Sequence, residues 1–135
     1  MDNFNAAMKK KYLIYLMDDN VSVHSSMSLL LSTSNIQLTS FRSLDKLIYA
    51  ITHYAPDCLL IEYNLQPKNG LQIYEALKQQ VTVPPTIFFS TYGDITTAVK
   101  VMRAGAHDFI EKPFTESRLL TSIKRALDGS QSSKI

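Results

Sequence analysis

The chain has little of several things that would restrict its fold. It has no tryptophan, one cysteine, 4 glycines and 5 prolines in 135 residues. A lone cysteine, Cys58, excludes an internal disulfide framework and any multi-cysteine metal site. It sits in the apolar run Cys58-Leu59-Leu60-Ile61, which reads as a small core residue and not a reactive thiol. So few glycines and prolines, with 45% hydrophobic residues, exclude a collagen-like or disordered chain. No apolar run exceeds six residues, Tyr12 to Met17 being typical, whereas a membrane span needs roughly 20. Lys9-Lys10-Lys11 before that run imitates a secretion signal, but the run is short, no small-residue cleavage site follows, and Asp18-Asp19 interrupts it. A soluble, cytoplasmic protein is expected. The net charge is only +2, and no stripe interleaves arginine with aromatic residues. Direct binding to nucleic acid is therefore not expected.

What is present is regular. Tyr12–Met17, Ile36–Phe41, Cys58–Tyr63, Thr86–Ser90 and His107–Glu111 read as strands. The first, third and fourth are almost continuously apolar, as strands covered on both faces should be. Between them, Val23, Met27, Leu30 and Leu31 form a helical stripe, as do Leu44, Leu47, Ile48 and Ile51. Leu71, Tyr74 and Leu77 mark a third helix. Ile95, Ala98, Val99 and Met102 mark a fourth, and Leu119, Leu120, Ile123 and Leu127 a fifth. Ser43, Asp94 and Thr115 are candidate N-caps, and Asn20 or Ser22 could cap the first helix. Gly105 and Gly129 are expected to follow the fourth and fifth helices. Strands alternating with helices in this way give an α/β fold, a doubly wound five-stranded parallel sheet with the flavodoxin-like order 2-1-3-4-5. One domain over 11–128 is expected, between an N-terminal extension at 1–10 and a linker-like tail at 129–135.

In such a sheet ligands bind outside the carboxyl ends of the strands, where the strand order reverses. Strand one ends in Asp18-Asp19-Asn20 and strand three in Glu62-Tyr63-Asn64. Strand four ends in Ser90-Thr91 and strand five in Glu111-Lys112-Pro113. Carboxylates, a hydroxyl and a lysine thus converge on one edge. Acids beside a backbone carbonyl suit a hard, oxygen-seeking cation, Mg²⁺ being the expected one, with Asp18, Asp19, Glu62 and Asn64 as the candidate set. A cation, a lysine and a hydroxyl are together suited to holding phosphoryl oxygens. No G-x-G-x-x-G, P-loop or G-x-S-x-G elbow occurs, and the histidines lie in unrelated segments. These absences argue against a nucleotide or flavin binder and against a hydrolase, and the chain is not expected to be an enzyme.

On these residues the chain resembles the CheY-like receiver domains of two-component response regulators. The most specific stretches are Asp18-Asp19, Ser90-Thr91-Tyr92-Gly93-Asp94, and the run from Lys100 to Phe114. The last is most similar to receivers of the FixJ group, whose outputs are usually helix-turn-helix DNA-binding domains. The resemblance implies that Asp18 and Asp19 form an acidic Mg²⁺ pocket. It makes Ser90 a switch hydroxyl, Lys112 a phosphate-contacting lysine and Phe109 the switch aromatic. It also implies a sensor histidine kinase as partner and, if the chain is part of a longer regulator, a helix-turn-helix output domain.

One departure from the family pattern matters. The third strand of a receiver ends in an aspartate that accepts phosphate, and here that position is Glu62. Its carboxylate is carried one methylene deeper, and in-line attack depends on reacting atoms about 3 to 3.5 Å apart. Thr91 and Tyr92 are bulkier than usual and are expected to crowd the approach. Three readings follow: a silent pocket, a pocket locked on because Glu62 imitates a phosphorylated aspartate, or a slow but working acceptor. Locking on would turn Ser90 toward Glu62 and Phe109 inward. Two copies would then pair through helix four and strand five, on the face carrying Ile95, Val99, Met102 and Arg103. If Glu62 closely contacts Lys112, Mg²⁺ binding should be weak.

Overall fold

The computed structural model of the chain describes residues 11–32 and 34–132, so the expected N-terminal extension lies outside the described residues. Strands β1 (Tyr12–Met17), β2 (Ile36–Phe41), β3 (Cys58–Glu62), β4 (Thr86–Ser90) and β5 (Asp108–Glu111) alternate with five helices. These are α1 (Val21–Leu30), α2 (Leu44–His53), α3 (Gly70–Gln80), α4 (Ile95–Arg103) and α5 (Glu116–Ser132). All strand pairings are parallel, and the spatial order is β2-β1-β3-β4-β5. This is the expected doubly wound sheet. Its order reverses between β1 and β3, which puts a crevice outside their carboxyl ends.

Alternation along the strands divides the interior in two. Ile14, Leu16, Leu60, Ile87, Phe89 and Ile110 meet Met27 and Leu31 near α1 and Leu119, Ile123 and Ala126 on α5. Tyr15, Met17, Leu59, Ile61 and Phe88 meet Leu47 and Ile51 on α2, Ile73 and Leu77 on α3, and Val101 on α4. Burial of each large side chain contributes about 1.5–3 kcal/mol. Every residue of β3 and β4 is buried, as their unbroken apolar runs require. Cys58 is fully buried, and that burial pushes its thiol up to about 12, so it is inert packing.

The caps are mostly as read. Asn20, Ser43 and Asp94 accept backbone N–H groups of Ser22, Lys46 and Thr97, and Thr115 Oγ1 accepts from Arg118 at 3.0 Å. Gly105 ends α4 with φ 114°, a left-handed position that suits glycine. One reading needs correction. Gly129 does not end α5, which continues to Ser132, so the start of the supposed tail is helical. A glycine without positive φ is tolerated inside a helix at modest cost, and here the helix carries through it. On α4 the apolar stripe faces outward, with Ile95 82%, Val99 40% and Met102 44% exposed. Val101, on the opposite side of the helix, makes the core contact instead.

Candidate functional site

Four strand ends place the candidate residues. At the end of β3, Glu62 is buried, and Lys112 Nζ donates to its Oε1 at 2.6 Å. The Asn64 backbone N–H donates to Oε2 at 2.7 Å. Lys112 directly follows β5. Its backbone N–H donates to Ser90 O at 2.8 Å, and its ammonium lies 4.7 Å from the Phe89 ring centroid. Both carboxylate oxygens of Glu62 therefore have charged or polar donors, and the lysine lies along an aromatic face that attracts cations.

Ser90 is fully buried. Its Oγ donates to Asn64 Oδ1 at 2.5 Å and accepts from the Tyr92 N–H at 3.2 Å. The Thr91 N–H also donates to Asn64 Oδ1, at 3.3 Å. The expected turn of Ser90 toward Glu62 is thus replaced by a bond to Asn64, whose amide oxygen reaches the hydroxyl first. Tyr92, expected to crowd the approach, is 81% exposed. Thr91 is exposed too and lines, beside Lys112, a cavity of about 450 Å³ with Val23, Met27 and Phe114. Phe109 is half-buried. Its ring sits over Gly93, where an added Cβ would lie 2.5 Å from Cε2.

Asp18, at the end of β1, is buried, whereas Asp19 is exposed. Asp18 Oδ1 accepts from the Asn20 N–H at 2.9 Å, and Oδ2 has no partner. Burial raises the Asp18 carboxyl above its ordinary range. The Asn20 N–H and the Lys112 charge oppose that rise, and the Glu62 and Asp19 charges add to it. A raised folded-state value favours the proton in the native state. This contribution to stability is full below the ordinary aspartate range and is lost as pH rises through the raised value. Asp18→Asn is expected to remove that decline: thermal melts of parent and variant from acid to neutral pH should converge at the acid end and diverge above it. Parallel profiles would contradict it.

The residues do not fit a firmly held Mg²⁺. Glu62 is engaged by Lys112 and Asn64, Asp19 points to solvent, and only Asp18 Oδ2 is unsatisfied. Among the described residues no group of three or more His, Cys, Asp or Glu side chains is arranged around a possible ion. Mg²⁺ keeps several of its waters and takes one or two carboxylates from a protein, so with Glu62 held by Lys112 a weak site at Asp18 and Asp19 is what these residues would offer.

Sequence reading missed three local devices. Asn69 and Gln72 form a reciprocal capping box at the start of α3, legible in principle from the spacing Asn-x-x-Gln. His24 of α1 meets Ser40 of β2 through Nδ1. Asp108 receives Arg118 Nη1 at 2.8 Å and Ser122 Oγ at 2.7 Å, tying β5 to α5. Burial alone would raise Asp108, but those donors more than offset it and hold its carboxyl below the ordinary range.

Comparison with known proteins agrees with the geometry. The family model described as the response regulator receiver domain matches residues 14–124. The response regulator protein TodT of Pseudomonas putida is 35% identical over 115 residues, covering 85% of this chain and 51% of that protein. The transcriptional regulatory protein FixJ of Bradyrhizobium diazoefficiens is 28% identical, covering 89% of this chain and 58% of that one. The chain therefore spans about half the length of these curated relatives. Among solved structures, NtrX from Brucella abortus superposes with a TM-score of 0.82 at 32% identity, covering 92% of this chain and 29% of that one. A response regulator receiver protein from Pseudoalteromonas atlantica gives 0.76 at 32% identity, covering 87% and 98%. No helix among the described residues is long and apolar enough to cross a membrane. With its strand order, its convergent strand ends and a family match over most of its length, the chain belongs to the receiver domains of two-component response regulators.

Proposed function

We propose that this receiver regulates its output without accepting a phosphoryl group, through protein contacts that do not wait for modification. The observation that carries this reading is the 2.6 Å ion pair between Glu62 and Lys112, with the second carboxylate oxygen held by the Asn64 N–H. A carboxylate whose two oxygens already take a lysine ammonium and a backbone N–H is a weaker nucleophile toward phosphorus than a free one. A carboxylate one methylene longer also starts from the wrong distance for in-line displacement. Ser90 bonds Asn64 and not Glu62, so the reading favoured is a silent pocket, closed by its own lysine, over one in which Glu62 imitates a phosphorylated side chain. The output this reading favours is a DNA-binding domain in a longer regulator, in line with the name of the relative DNA-binding transcriptional regulator NtrC. The outward α4 face with Ile95, Val99, Met102 and Arg103 is a surface on which such a domain or a second copy could sit.

Incubation of the chain with acetyl phosphate and Mg²⁺, followed by intact-mass spectrometry, tests the proposal. No phosphoryl adduct is expected. A stoichiometric adduct mapping to Glu62 would establish a working acceptor in its place.

A further inference from the structure

Between α1 and the segment that follows β5 lies a cavity of about 450 Å³, inside the size range of ordinary small-molecule sites. Its wall is mostly apolar, made by Val23, Met27 and Leu30 of α1 and by Phe114, while Lys112 and Thr91 supply polar groups. The sequence explains the room. Helix α1 carries Ser22, Ser25, Ser26 and Ser28, and of these Ser22 and Ser26, one turn apart, also line the cavity. Small side chains there leave space that leucine would fill. The wall is also held in place. Met27 is buried, the Phe114 ring stands edge-on to Phe89 with centroids 6.4 Å apart, and the Lys112 backbone N–H is bonded to Ser90 O. We propose that this cavity is a binding site for a neutral, mainly apolar small molecule with one acceptor oxygen. Such a ligand would give the domain an input other than a phosphoryl group.

Charge selects the ligand class. Lys112 is the only charged side chain in the lining among the described residues, so an ammonium or guanidinium entering there meets repulsion from it. An anion would have to share the lysine ammonium with Glu62, whose Oε1 lies 2.6 Å from it. It would also enter the field of Asp18, which interacts with Lys112 as well. A neutral molecule meets neither opposition, and its apolar body gains by leaving water for Val23, Met27, Leu30 and Phe114. One oxygen suffices for its polar end. The Lys112 ammonium carries more N–H donors than the one that Glu62 Oε1 takes, so a ligand oxygen can accept from it while the Glu62–Lys112 pair stays intact.

The probe is acetophenone, a neutral ring with one carbonyl oxygen, compared at neutral pH with its amine counterpart 1-phenylethylamine and with benzoate. Each is titrated into the full chain, and NMR reads the Met27 methyl and the Phe114 ring. Acetophenone is expected to shift both signals and to saturate with a Kd of about 1 mM, in keeping with so small a ligand. The charged probes should bind at least about tenfold more weakly. Ser26→Leu fills the cavity from an exposed helix position and should abolish the acetophenone shifts. The proposal is overturned if acetophenone gives no saturable shift at these two residues, which would leave the cavity a groove for a protein side chain. It is equally overturned if a charged probe binds as well, or if Ser26→Leu titrates like the parent. The three-probe comparison needs the parent alone, so the test stands even if Ser26→Leu does not fold. Neither Mg²⁺ nor a phosphoryl donor is present, so the outcome is independent of the acetyl phosphate result.

Discussion

Lys112→Met should unfold the domain more readily than any other single change at the pocket, by about 3 kcal/mol, or ~10 °C in Tm. The methionine keeps the length and the packing against Phe89 and removes the ammonium. It leaves the Glu62 carboxylate, 7% exposed, without its 2.6 Å partner. A buried charge stripped of its counterion costs far more than the pair itself contributes. The figure is at the low end of the usual range because the lysine side chain is 24% exposed and water can partly replace it. Adding Glu62→Gln to the same chain removes the orphaned charge and should restore most of the loss. Urea unfolding of the two single variants and the double variant measures this. Independent, additive losses would mean that the pair is solvated and does not close the pocket.

Gly70→Ala is the second large effect, and it acts through the backbone. A Cβ at this first residue of α3 would lie 2.5 Å from Glu62 O, 2.9 Å from Tyr63 Cα and 3.0 Å from Ile61 Cγ2. Two of those atoms are main chain and cannot rotate away, and the Gly70 N–H is already bonded to Tyr63 O at 2.8 Å. Either α3 or the end of β3 must shift, and a loss of about 3 kcal/mol is expected, at the upper end for overpacking. Gly129→Ala is the internal control. It lies inside α5, where an added Cβ would stand 3.4 Å from His107 Cε1, an ordinary contact. There the substitution should stabilise by about 0.5–1 kcal/mol, because alanine suits a helix better than glycine. Denaturant midpoints of the two variants should therefore move in opposite directions. A neutral Gly70→Ala would mean that α3 can pull back from the strand without cost.

Much of this was legible in the sequence, and for a physical reason. Cys58–Glu62 and Thr86–Ser90 have no polar alternation, so they had to be covered on both sides, and that dictates the sheet's position between two layers of helices. The strand ends then brought Asp18, Glu62, Ser90 and Lys112 to one edge, and the Glu62–Lys112 contact was foreseeable from reach and charge. What escaped was set by loop conformation. Asn64 was read only as part of a cation site, and the acceptance of the Ser90 hydroxyl by its side-chain amide was not foreseen. Loop conformation sets that contact, and no periodicity encodes it. The outward placing of the α4 stripe agrees with its reading as a surface face, though a short helix with apolar residues on two sides can bury either. The pair Val101 and Ala104 packed inward, leaving Ile95 outside.

The division of the interior by the sheet bears on how such a sequence can change. Met27 and Leu31 on one side share no packing partners with Leu77 and Ile73 on the other. Changes in volume on opposite sides should therefore add in free energy, while changes within one side should depend on each other. Each layer can drift through its own series of compensating substitutions without waiting for the other. The residues of β3 and β4 are the exception, because every backbone shift there is felt on both sides at once. Glu62 and Ser90 end those two strands, so the pocket sits where the two histories of substitution must agree.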